Sequence, residues 1–224
     1  MVRRLRVAAL PLALSLLAAA CAALAVCADR RADRRAFYLL KPLTTVLILA
    51  LAATAAQSVG GGYRALVVAG LLFSLAGDVF LMLPRDRFVA GLASFLVAHL
   101  FYVAAFAPRS PRLAAPLVLA ALLAYGAVLL RALWPRLGGL RAPVAAYAAV
   151  LLAMAWQAAA RWGVEDTTPA LLAALGAGWF VVSDSVLAWE RFRGRHAYGQ
   201  PVVLGTYYAA QWLIATSVYA APFG

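Results

Sequence analysis

Residues 64–83 read RALVVAGLLFSLAGDVFLML, an apolar run in which a carboxylate, Asp78, lies close to the far end. A run of about 20 apolar residues is long enough to cross the hydrocarbon core of a bilayer as a helix. An ionised aspartate inside such a segment is costly, and it marks a functional site more often than a packing contact. The stretch therefore predicts a transmembrane helix that carries a functional side chain.

The same combination recurs further along the chain, where GWFVVSDSVLA at residues 178–188 places Asp184 in a second apolar segment. Glycine, proline and arginine punctuate a series of such runs. They predict helices over residues 7–28, 39–57, 64–83, 88–107, 113–133, 144–160, 168–188 and 201–221. The expected fold class is all-α, a polytopic transmembrane bundle of about eight helices that forms a single domain over residues 1–224.

The composition agrees with this fold, because 66% of the residues are hydrophobic and only 12% are charged. A soluble domain of this size could not hide so much apolar surface. The net charge of +12 could suggest a nucleic-acid partner, but the arginines lie singly or in small groups at the ends of apolar runs. We therefore expect no nucleic-acid binding, and contact with membrane lipids through anionic headgroups.

The basic residues also predict an orientation for the chain. Thirteen of the 20 lysines and arginines fall in or beside the first, third, fifth and seventh connections between the predicted helices. The positive-inside rule then places those connections in the cytoplasm and both termini outside it. We expect a multi-pass protein of a bacterial inner membrane.

Few strongly polar side chains lie inside the predicted spans, and several are spaced to share a helix face. Ser74 and Asp78 are four residues apart, as are Tyr207 and Gln211. Such faces should turn inward, because lipid offers them no hydrogen-bond partner. The candidate site residues are Lys41, Ser74, Asp78, His99, Tyr102, Ser183, Asp184, Tyr207, Tyr208 and Gln211. The simpler alternative is structural, an ion pair between Lys41 and an aspartate that only holds helices together.

Metal and cofactor chemistry are not expected from this sequence. A catalytic zinc site takes about three protein ligands, and no close-spaced ligand pair supports one here. Ser183 lacks the GxSxG surroundings of a serine nucleophile. We therefore predict no metal and no cofactor.

Five segments together resemble the YhhN family of membrane proteins: KPLTT at 41–45, SLAGDVFL at 74–81, FLVAHLFY at 95–102, GWFVVSDSVLA at 178–188 and TYYAAQWLIA at 206–215. Their order and spacing carry the resemblance over nearly the whole chain. It implies eight membrane helices and a lysoplasmalogenase, which hydrolyses the vinyl ether bond of lysoplasmalogens to a fatty aldehyde and a glycerophospho-alcohol. A lysophospholipid would then be the substrate.

That chemistry needs a proton donor and an anion, so we expect Asp78 and Asp184 to be the catalytic residues. We predict Asp78 to be the acid and Asp184 to lie near Lys41 as the carboxylate. The other candidates would bind substrate or support the site, and the lipid chain would run towards His99 and Gln211. A proton-coupled transporter of a small amphiphile and a non-catalytic assembly protein remain alternatives. The oligomeric state is left open.

Overall fold

A computed structural model describes residues 2–55, 58–84, 86–107 and 115–220, and for residues 2–8 it describes the backbone alone. These residues form eight α-helices: α1 (Val2–Arg30), α2 (Arg34–Ala53), α3 (Gly61–Met82), α4 (Phe88–Phe106), α5 (Pro116–Leu133), α6 (Arg141–Glu165), α7 (Thr168–Arg193) and α8 (Gly199–Thr216). Two short 3-10 turns, Trp134–Arg136 and Gly138–Leu140, connect α5 to α6.

Seven of these helices, α1 to α7, contain segments long and apolar enough to cross a membrane. The predicted all-α bundle of about eight helices is thus confirmed. The exception, α8, carries tyrosine, threonine and glutamine along its length and turns many of them into the bundle. Its polar residues lower its hydropathy, while its neighbours shield them from lipid.

Some helices extend further than the apolar runs predicted. Helix α2 begins at Arg34 rather than residue 39, because the Asp33 side chain caps it by accepting a hydrogen bond from the Ala36 amide. Helix α7 continues beyond residue 188 to Arg193. Hydropathy marks only the apolar part of a helix, so polar end turns are missed. Three predicted boundaries extend too far: α2 ends at Ala53 rather than residue 57, α5 begins at Pro116 rather than 113, and α8 ends at Thr216 rather than 221. Residues 57, 113 and 221 themselves lie outside the described residues.

The helices around the centre approach closely at glycines. A Cβ on Gly77 of α3 would lie 2.6 Å from the Phe95 ring of α4, and a Cβ on Gly176 of α7 would lie 2.9 Å from the Ala210 carbonyl of α8. Small residues allow this close backbone approach in membrane bundles. Helix α5 is peripheral, and its buried residues are Gly126 and Leu133.

Successive helices alternate in direction, so the connections after α1, α3, α5 and α7 lie at one end of the bundle. We call it the arginine-rich end; it comprises residues 30–34, 83–88, 133–141 and 193–199, of which residue 85 is not described. A contact between Asp86 and Arg191 joins the connection after α3 to the last turn of α7. At the opposite end, Ser58 pairs with Tyr219. The orientation of these ends in a membrane stays a prediction.

Candidate active site

Asp78 on α3 lies at the centre of a buried hydrogen-bond cluster and is only 1% exposed. Its Oδ1 is 3.3 Å from Lys41 Nζ, and its Oδ2 accepts hydrogen bonds of 2.7 Å from Thr45 Oγ1 and from Tyr207 OH. Lys41 and Thr45 are four residues apart and therefore share one face of α2. The Asp78 carboxylate thus has a cation and two hydroxyl donors.

The cluster continues away from Asp78 through α8 to α4. Gln211 Nε2 donates to Tyr207 OH over 3.1 Å, and Gln211 Oε1 accepts from Tyr102 OH over 2.9 Å. Because Gln211 donates to the Tyr207 oxygen, the Tyr207 proton is directed at Asp78. Tyr208 OH donates to the Lys41 carbonyl over 3.3 Å. The network thereby ties α2, α3, α4 and α8 together.

Asp184 on α7 has different surroundings. Its Oδ2 accepts a hydrogen bond from Tyr147 OH on α6 and lies 4.0 Å from His99 Nε2. The His99 ring is completely buried, edge-on to the rings of Phe180 and Tyr147, and neither ring nitrogen makes a hydrogen bond with any residue that the structure describes. The Asp184 side chain is 11% exposed. Asp184 therefore has one hydroxyl donor and no lysine or arginine partner among the described residues.

Both carboxylates line one cavity, which we call the polar cavity, with a volume of about 660 Å³. It opens at the arginine-rich end, and Phe95 and Tyr207 form part of its inner wall. Its rim carries charges of both signs, from Asp29, Arg34, Asp86, Arg87, Glu190, Arg191 and Arg195. Water and a charged headgroup can therefore reach both aspartates from that end.

A narrower apolar groove meets the polar cavity at Asp184. Leucines and small residues of α5, α6 and α7 form most of its wall, with contributions from α3 and α4. Five residues line both spaces: Leu81, Phe88, Phe95, Asp184 and Leu187. Asp184 thus stands between a polar compartment and a hydrocarbon-lined one.

An ion pair between Asp86 and Arg191 crosses the rim of the polar cavity. The hydrogen bond from Arg191, together with one from the Phe88 amide, lowers the pKa of the Asp86 carboxyl. The Arg191 guanidinium also lies 4.7 Å from the centre of the Phe88 ring. Because Asp86 is 63% exposed, the pair contributes little stability.

The structure corrects two expectations about the site. Lys41 pairs with Asp78, not with Asp184, because α2 packs beside α3 and α8. His99 and Gln211 are fully buried and line neither the polar cavity nor the apolar groove, so a lipid chain does not run towards them through either space.

The remaining candidate serines lie near the carboxylates. Ser74 is buried one turn before Asp78 on α3. Ser183 lines the polar cavity, and its Oγ donates to the Val203 carbonyl over 3.2 Å, which links α7 to α8.

Two aspartate partners, Thr45 and Tyr147, were absent from the predicted site. Thr45 follows Lys41 by one helical turn, so the sequence already indicated that both side chains share a face of α2 and that Thr45 could belong to the site. Tyr147 lies six residues from the start of α6, at the arginine-rich end. The sequence around it does not indicate which neighbouring helix its side chain faces.

Comparison with known proteins identifies the family of this chain. The model of the YhhN family matches residues 36–218. The chain belongs to the YhhN family. The matched segment contains Lys41, both aspartates and Gln211, whereas α1 lies before it.

Members of the family with similar sequences come from bacteria and mammals. The membrane protein YhhN of Shigella flexneri is 36% identical over 185 residues, which cover 81% of this chain and 86% of its own length. The human lysoplasmalogenase TMEM86B is 39% identical over 172 residues, which cover 74% of this chain and 69% of its own length. The human lysoplasmalogenase TMEM86A is 35% identical over 156 residues, which cover 67% of this chain and 64% of its own length. No solved structure matches significantly. This YhhN-family member is a multi-pass integral membrane protein.

Proposed function

We propose that this YhhN-family protein is a hydrolase that cleaves the vinyl ether bond of a lysoplasmalogen to a fatty aldehyde and a glycerophospho-alcohol. The observation that carries the proposal is the polar cavity, in which two carboxylates with unlike partners face one space. Relatives named lysoplasmalogenases, at 35–39% identity, support the same activity. The chain's own residues suggest a division of roles between the aspartates.

Asp184 is the proton donor in this proposal. Vinyl ethers are cleaved by proton delivery to the outer alkene carbon, which leaves an oxocarbenium ion at the carbon bonded to oxygen. An acid suits this step when its surroundings favour the neutral form, as in two-carboxylate glycosidases. Asp184 fits because one tyrosine hydroxyl is its hydrogen-bond donor and hydrocarbon side chains lie beside it.

Asp78 is the anion in this proposal. Lys41, Thr45 and Tyr207 all favour its ionised form by charge or by hydrogen bonding. A fixed carboxylate beside the reaction centre stabilises the positive charge that develops on the substrate. This assignment reverses the roles expected from the sequence, because Lys41 lies beside Asp78 rather than beside Asp184.

The second half of the reaction consumes one water molecule. Water adds to the oxocarbenium carbon and loses a proton to the Asp184 carboxylate, which restores the acid. The resulting hemiacetal breaks its bond to the glycerol oxygen, giving the aldehyde and the free hydroxyl. Arginines on the rim, such as Arg34, Arg87 and Arg195, can hold the phosphate of the headgroup while this occurs.

The test uses protein purified in detergent and lysoplasmenylethanolamine as substrate. We expect release of fatty aldehyde and glycerophosphoethanolamine. In water labelled with ¹⁸O the headgroup product should contain no label, because the vinyl carbon–oxygen bond is the one that breaks. Label in the glycerophosphoethanolamine, or hydrolysis only of ester-linked lysolipids, would contradict the proposal.

Transport is the alternative outcome of this experiment. Lipid movement that requires a sealed bilayer, with no aldehyde formed in detergent, would favour a proton-coupled transporter. The hydrogen-bond chain from Asp78 through Tyr207 and Gln211 to Tyr102 would then serve as a relay.

A further inference from the structure

We propose that the apolar groove formed by α5, α6 and α7 is the binding site for the single hydrocarbon chain of the substrate. This assignment rests on the proposed function, and it adds the location of the chain and the route by which lipid enters.

The wall of the apolar groove is suited to hydrocarbon. Leucine, valine, phenylalanine and alanine side chains form almost all of it. Its few polar side chains are already paired, since Tyr125 OH donates to Ser185 Oγ over 2.8 Å and Tyr147 OH donates to Asp184. An alkyl chain in the groove would therefore leave these polar groups with their partners.

The groove is continuous with the polar cavity at the carboxylate that the mechanism needs. Asp184 faces both spaces, and Phe88, Phe95, Leu81 and Leu187 form their common wall. A lysolipid with its headgroup in the polar cavity and its chain in the groove would place the bond between them beside Asp184. The vinyl ether is that bond, because it joins the chain to the glycerol.

A second apolar groove, between α1, α2 and α8, is a poorer site for the chain. Its wall includes Leu12, Ile48 and Trp212 and contains neither aspartate. A chain bound there would not place its vinyl ether at either carboxylate. The groove between α5, α6 and α7 is therefore the one that fits the reaction.

The groove is long but narrow in this structure. Along α7 it extends from Val181 to Phe192, which corresponds to about 16 Å of helix. Its volume is only about 70 Å³, so a chain must widen it. Helix α5 is the wall that can move, because it is peripheral and its contacts are few, among them Gly126 with Leu152 and Tyr125 with Ser185. Lipid would enter sideways from the bilayer past α5.

The first test fills the groove with one side chain. Ala148 on α6 lines it, whereas the adjacent Ala149 is exposed and lies outside it. Ala148→Phe should lower kcat/KM for a hexadecenyl lysolipid by about tenfold or more while an octenyl lysolipid loses much less. Ala149→Phe should behave as wild type with both. Equal losses of both substrates in Ala148→Phe, or no loss, would overturn the assignment.

The second test does not need activity. A non-hydrolysable lysophosphatidylethanolamine with a diazirine in its chain is photolysed with the purified full-length protein, and the labelled peptides are mapped. Labels should concentrate in residues 125–133 and 144–152, and Ala148→Phe should reduce them. Labels concentrated on α1 and α8, or spread evenly over the helices, would overturn the proposal. A wild-type protein that releases no aldehyde but labels the groove would refute the proposed function alone.

Discussion

At the scale of single residues, the two aspartates differ because their neighbours differ. Both were predictable from the sequence, since each interrupts an apolar run and each lies towards the same end of its helix. Their partners were not predictable, because the helix that packs next to Lys41 depends on tertiary packing. A lysine at that position could face α3 or α7, and only the structure shows that it pairs with Asp78.

This difference predicts unequal effects on stability. Asp78→Asn leaves the buried Lys41 ammonium without its countercharge, and breaking a buried pair in this way costs about 3–5 kcal/mol. Asp184→Asn keeps an oxygen that can accept from Tyr147, so its cost should be smaller. Thermal unfolding in detergent should therefore show a larger decrease in Tm for Asp78→Asn.

A double variant separates stability from chemistry at the same position. Adding Lys41→Met to Asp78→Asn removes the unpaired charge, so it should recover most of the lost Tm without recovering activity. Equal Tm values for Asp78→Asn and Asp184→Asn would contradict the ion-pair account. So would a Lys41→Met, Asp78→Asn protein that turns over substrate normally.

At the scale of helices, α8 shows what hydropathy can and cannot predict. The apolar runs predicted all eight helices, but among the described helices α8 alone has no segment apolar enough to span a membrane. It carries Tyr207, Tyr208 and Gln211, which are buried in the interior. Its place in the bundle depends on close packing against α7. That contact could not be predicted from the sequence, since several glycines were available to make it.

Two glycines on α7 provide a matched test of this contact. A methyl group on Gly176 would meet Ala210 O and Ile214 of α8, whereas one on Gly178 would meet nothing within 4 Å. Gly176→Ala should therefore destabilise the protein by about 1–3 kcal/mol and lower activity by displacing Tyr207 and Gln211. Gly178→Ala should be neutral or slightly stabilising, because alanine favours helix. Similar unfolding curves for the two variants would argue against tight α7–α8 packing.

At the scale of the whole molecule, charge is distributed unequally between the two ends. The arginine-rich end carries the opening of the polar cavity, so the orientation of the protein decides which leaflet supplies its lipid. The sequence predicted the charge asymmetry and a lipid chain that runs on from the carboxylates, but it directed that chain towards His99 and Gln211, which line neither the polar cavity nor the apolar groove. The polar cavity depends on the packing of α2, α3, α4, α7 and α8, and the apolar groove on the distance between α5, α6 and α7, which no local pattern encodes.

The positive-inside rule predicts that both termini face away from the cytoplasm. A phosphatase reporter fused to the C-terminus should then be active, and a fluorescent reporter that folds only in the cytoplasm should be dark. The same reporters inserted in the connection between α5 and α6 should show the opposite pattern. A bright cytoplasmic reporter at the C-terminus would reverse the orientation and assign the polar cavity to the other leaflet.

The central claim is that Asp78 and Asp184 act as one catalytic unit in the polar cavity. The most direct test is the rate of aldehyde release from lysoplasmenylethanolamine by wild type, Asp78→Asn, Asp184→Asn and the double variant, all purified as folded protein. Each single variant should lose most of the activity, and the double variant should lose little more than the worse single, as residues in one unit do. Substantial activity in Asp184→Asn, or losses that multiply in the double variant, would contradict the account.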